Sequence, residues 1–162
     1  METKKLIEQF PKGNPPIQLD VYGALDYYIG LENVHEIDKS FSFTVVTDDS
    51  SYIFINKNLP YKRKHFVLAH ELVEYLLEKD KPDTNLIYYL YRAQNKKLQS
   101  KVNYFASALL MPEWVIREIA NDTLSYGSKL DGRFISYLSD YFSVSKTAVS
   151  IRLKTLGYEV VL

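Results

Sequence analysis

The chain of 162 residues contains no cysteine. Disulfide frameworks and thiolate metal sites are thereby excluded, and any metal would have to be held by histidine, aspartate or glutamate. Histidine is scarce too, at three residues. There is no excess of charge: 20 Lys and Arg balance 20 Asp and Glu, so no global pull toward nucleic acid or an anionic membrane follows. No stretch is apolar enough to span a membrane, and Met1-Glu2-Thr3-Lys4-Lys5-Leu6-Ile7-Glu8 has no apolar core of signal-peptide length. The expectation is a cytoplasmic protein with no membrane partner. Internal repeats, low-complexity linkers and composition breaks are also missing. One domain spanning 1–162 is therefore expected, and with 46% hydrophobic residues a proper core is within reach.

What is present reads as alternating helix and turn signals around one strand pair. Residues 4–10 suit a short helix closed by Pro11 and Gly13, and residues 18–29 suit a second helix stopped by Gly30. Phe41 to Val46 and Tyr52 to Asn56 are rich in β-branched and aromatic residues, and Thr47-Asp48-Asp49-Ser50-Ser51 between them is turn chemistry, so 41–56 predicts a hairpin. Pro60 and the basic run Lys62-Arg63-Lys64 lead into another helix, closed by Pro82-Asp83-Thr84-Asn85. A long helix over 85–110 follows, then one over 112–121 opened by Pro112. Two short helices occupy 133–157. Tyrosine is frequent, at 14 residues, and the crowding at Tyr88, Tyr89 and Tyr91 reads as compositional bias. The fold class is α+β: four to six helices with a small hairpin-bearing sheet.

The segment carrying chemistry is Phe66-Val67-Leu68-Ala69-His70-Glu71-Leu72-Val73-Glu74-Tyr75-Leu76-Leu77. It falls one residue short of the HExxH signature. In that signature two histidines at i and i+4 share a helical face and grip one metal ion, and the glutamate after the first acts as general base on metal-bound water. His70 and Glu71 are in place, while Glu74 holds the second histidine position. A carboxylate can also ligate zinc, so the site is altered rather than erased. Taken alone, the segment is equally an amphipathic helix with His70, Glu71, Glu74 and Glu78 on its wet side. His65 reads as a helix-entry or packing residue, and His35 as part of an N-terminal loop.

Three segments in order resemble the ImmA/IrrE-type metallopeptidases, gluzincin-like enzymes of bacteria, their phages and mobile elements. Ile53-Phe54-Ile55-Asn56 precedes the His70-Glu71 helix. Asn103-Tyr104-Phe105-Ala106-Ser107-Ala108-Leu109-Leu110-Met111-Pro112 follows it. The tail is Leu138-Ser139-Asp140-Tyr141-Phe142-Ser143-Val144-Ser145-Lys146-Thr147-Ala148-Val149, then Arg152-Leu153-Lys154-Thr155-Leu156-Gly157. The match spans about residues 50–158. The resemblance implies a zincin-like helical domain with a C-terminal helix-turn-helix-like pair over 133–158 packed as part of it. It also implies an endopeptidase that cuts helix-turn-helix repressors, with zinc held by both signature histidines and by the glutamate of an E-A-N-x-F-A motif.

Carried over residue by residue, the ligands fall on His70, Glu74 and Lys101, with Glu71 as the base. Two of the three ligand positions are substituted, and Lys101 is a cation. A Glu74–Lys101 ion pair would fill the space of the metal; if buried, truncating either partner would cost about 3–5 kcal/mol. A lysine also opposes a dication directly. The expectation is a catalytically impaired protein with no cofactor, zinc being the cofactor if the site works. Its role is then that of a regulator binding a repressor in a phage, mobile element or stress response. The hairpin edge is a natural place to add a partner's strand. An active zinc endopeptidase with an unusual ligand set is the first alternative. A DNA-binding protein acting through 133–157 is the second, disfavoured because Lys146, Arg152 and Lys154 spread around their helix instead of sharing a face.

Overall fold

The computed structural model describes residues 1–80, 93–127 and 129–160. Seven α-helices and five strands occur among them. In chain order they are α1 (Thr3–Gln9), β1 (Pro11–Lys12), β2 (Gln18–Leu19), α2 (Val21–Tyr28), β3 (Val34–Ile37), β4 (Phe43–Val46), β5 (Ser51–Asn56), α3 (Tyr61–Glu78), α4 (Lys96–Leu110), α5 (Glu113–Ser125), α6 (Gly132–Tyr141) and α7 (Lys146–Thr155). The α+β class follows. The predicted Pro82–Asn85 breaker, the tyrosine cluster and the first part of the 85–110 helix lie outside the described residues.

Local chemistry explains most boundaries. Asp20, Asn95, Asp131 and Ser145 each cap a helix by accepting a hydrogen bond from a backbone N–H of its first turn. Pro60 and Pro112 precede α3 and α5. Gly30 ends α2 in a left-handed conformation, φ 85°, where a β-carbon would also collide with the Glu32 side chain.

The predicted hairpin forms: β4 and β5 are antiparallel, with Phe43 opposite Phe54 and Val46 opposite Ser51. The sheet has a third member that the sequence reading placed in a loop. Strand β3 runs parallel to β5, with Val34 beside Ile53 and Ile37 beside Asn56, so β5 is central. His35 therefore stands on a strand, 5.5 Å from the Phe54 ring, and not in a loop. Gln18 and Leu19, expected to open the second helix, instead pair with Pro11 and Lys12 as a short two-stranded sheet.

Helix α3 lies between layers, packing on β4 and β5 on one side and on α4 on the other. Ile53 and Ile55 reach it from the sheet, Leu68, Leu72 and Val73 from α3 itself, and Val102, Ala106 and Leu109 from α4, all buried. The same apolar cluster continues to Leu138, Phe142 and Val144 around the last helix junction and to Val149 and Leu153 of α7. Burying α3 on both sides fixes the direction of every polar side chain on it.

Candidate functional site

An amphipathic reading of α3 puts both glutamates in water, and the structure corrects it. Glu71 and Glu74 are buried, at 3% and 9% exposure, because sheet and α4 close over the helix from opposite sides. A buried carboxylate must be hydrogen-bonded. Glu71 Oε2 accepts from Thr44 Oγ1 of β4 at 2.7 Å, and Glu74 Oε1 accepts from Gln99 Nε2 of α4 at 2.7 Å. His70 lies between them, its Nδ1 at 2.9 Å from Asn103 Oδ1 and its Nε2 at 3.6 Å from Glu74 Oε1.

Both ring nitrogens of His70 thus face oxygen acceptors, an arrangement suited to the doubly protonated ring. Burial opposes that charge. The contact with Glu74, the negative charges of Glu71 and Glu74, and the Asn103 amide outweigh it and raise the pKa above its ordinary value. The result, among the described residues, is a polar network of an imidazole, a carboxylate and two amides.

Lys101 is not part of it. It is exposed and makes no ion pair with Glu74. The residue that α4 presents to Glu74 is Gln99, one turn before Asn103 on the same stripe. Lys101 lies two residues further on, about 200° around the helix. Carrying the motif over letter by letter missed this. The signal that would have found Gln99 is its i, i+4 spacing to Asn103, the residue facing His70.

The donor set does not fit a zinc centre. His70 and Glu74 offer two donors, and the α4 side chain that meets Glu74 is the amide of Gln99, its N–H₂ directed at the carboxylate. Among the described residues no three His, Cys, Asp or Glu side chains converge. His65 is buried with Nδ1 at 3.1 Å from the Ser143 carbonyl oxygen, a packing role that ties α3 to the junction of α6 and α7. His35 is across the sheet.

His70 and Asn103 of this network, with Glu71, line a cleft of about 1000 Å³. Ser42 reaches it from just before β4, Asn56 from β5, Arg63, Phe66 and Val67 from α3, Ser100, Tyr104 and Ser107 from α4, and Thr147 and Ile151 from α7. The last helix pair is thus a wall of the site. Arg152, counted among the candidate DNA contacts, is buried and donates from Nε to the Met111 carbonyl oxygen at 3.0 Å.

Fold and site together define the class: an α+β peptidase-type domain whose histidine-glutamate helix runs between a three-stranded sheet and a second helix. Residues 24–154 match the IrrE N-terminal-like domain, a peptidase family, and the chain belongs to that family. No curated protein matches the chain.

Proposed function

We propose that this protein is a metallopeptidase-like regulator that binds a protein segment in its cleft without cutting it. The observation that supports the reading is the Gln99–Glu74–His70–Asn103 network: hydrogen bonds of Gln99 to Glu74 and of His70 to Asn103, with His70 3.6 Å from Glu74, engage the two side chains that the resemblance makes metal ligands. Zinc would have to compete with Asn103 and Glu74 for His70, and the α4 side chain against Glu74 is a neutral amide rather than a third anionic ligand. Glu71 keeps the general-base position but is engaged by Thr44. In this reading the partner is a helix-turn-helix repressor, as the family resemblance implies, and the protein works in the cytoplasm without a cofactor.

The test is zinc content by elemental mass spectrometry on protein purified without chelator or metal-affinity tag. The wild-type chain is expected to carry far less than one zinc. The double substitution Glu74→His with Gln99→Glu should bring it to about one per chain. Glu74→His with Lys101→Glu should not, because position 101 faces away. A wild-type stoichiometry near one would instead support the active endopeptidase, whose activity Glu71→Gln would abolish.

A further inference from the structure

The basic run at the start of α3 splits three ways. Lys62 is bound to Asp140 of α6, and Lys64 to Glu36 of β3 at 2.6 Å. Arg63, between them, is exposed, lines the cleft and has no ion pair among the described residues. A second cation stands behind the opposite wall. Arg152 is only 3% exposed, with no carboxylate bound to it and Nη1 without a hydrogen-bond partner. Its guanidinium carbon lies 5.8 Å over the ring of Tyr104, a cleft residue. The acid whose charge it feels, Glu113, is bound to Arg117 at 2.6 Å.

A buried charge without a counterion is poorly screened, and its field focuses into the nearest solvent-filled concavity. Lys96 and Lys97, at the start of α4, are exposed and hold no ion pair with a described residue, but they do not line the cleft. Among the described residues, Glu71 is the one carboxylate lining the cleft, and it accepts from the Thr44 hydroxyl. In a chain of zero net charge, the cleft thus has Arg63 as an unpaired lining cation and the buried Arg152 behind its Tyr104.

We propose that the cleft selects an acidic polypeptide segment, with Arg63 pairing with a carboxylate of the bound chain and Arg152 attracting it through the Tyr104 wall. This rests on reading the cleft as a protein-binding site. A polypeptide is favoured over nucleic acid by the lining. Phe66, Val67 and Ile151 offer apolar contacts, and Ser42, Ser100 and Thr147 offer neutral hydrogen-bonding groups suited to a peptide backbone.

The experiment selects a random dodecapeptide display library on the immobilised full chain and on Arg63→Glu, then measures binding of the enriched synthetic peptides. Because Arg63 is exposed and unpaired, the variant should keep the wild-type circular dichroism spectrum. The wild type is expected to enrich peptides rich in Asp and Glu. Arg63→Glu should weaken them roughly tenfold and lose the acidic preference in its own selection. Arg152→Met should weaken the same peptides less. Enrichment without acidic bias, or a bias that survives Arg63→Glu, overturns the proposal while leaving the cleft a protein-binding site. No enrichment at all overturns both. Displacement of the enriched peptides by a short DNA or RNA oligonucleotide of higher affinity also overturns it, in favour of a nucleic-acid occupant.

Discussion

His65 and His70 stand five residues apart on one helix, and their surroundings move them in opposite directions. Burial lowers the His65 pKa from its ordinary 6.5; Lys12 adds to this, and the Ser143 carbonyl and Asp20 only partly oppose it. Below pH 6.5 the unfolded chain takes up a proton that native His65 refuses, so its contribution to stability falls as pH drops from 6.5 toward the lowered native value. For His70, raised by Glu74, Glu71 and Asn103 against the effect of burial, the sign reverses. Its contribution is complete below 6.5 and is lost as pH rises through the raised native value. NMR titration of the imidazoles should show one midpoint below and one above 6.5. His65→Asn, read by urea denaturation at several pH values, should flatten the loss of stability on the acid side. A single shared midpoint near the ordinary value would contradict both environments.

Elements were legible where their signals are local. The hairpin was readable because β-branched and aromatic runs flank a polar turn; the Ser145 cap of α7 and the positive-φ Gly157 after it are likewise short-range chemistry. The cap carries an expectation: Ser145 accepts a hydrogen bond from the Ala148 N–H at 3.1 Å. Ser145→Ala should cost about 1 kcal/mol in the urea midpoint, and Ser145→Gly only a few tenths. Strand β3 escaped because Val34-His35-Glu36-Ile37 shows no strict alternation and its partner β5 is parallel, reached only after β4 has intervened. The pairing of Gln18 and Leu19 with Pro11 and Lys12 escaped for a related reason. Their apolar spacing continues into α2, while Asp20, as its N-cap, begins the helix later.

At the scale of the whole molecule, one apolar cluster links α1 to α7. Leu72 has no exposure at its centre. Leu72→Ala should cost about 2–5 kcal/mol, and Trp114 fluorescence and far-ultraviolet dichroism should lose their native signals together if the chain unfolds as one cooperative unit. Two separated transitions would instead mark the last helices as an independent unit. The sequence by itself determined the α+β class, the helix carrying His70 and Glu71, the substitution at Glu74 and the family, because these rest on residue type and short spacing. Tertiary structure alone decided that Glu71 and Glu74 are buried, that Gln99 and not Lys101 meets Glu74, and that Arg63 faces the cleft while its neighbours are paired. Those facts depend on which faces of α3 and α4 meet, and the meeting is set by packing between segments far apart in the chain.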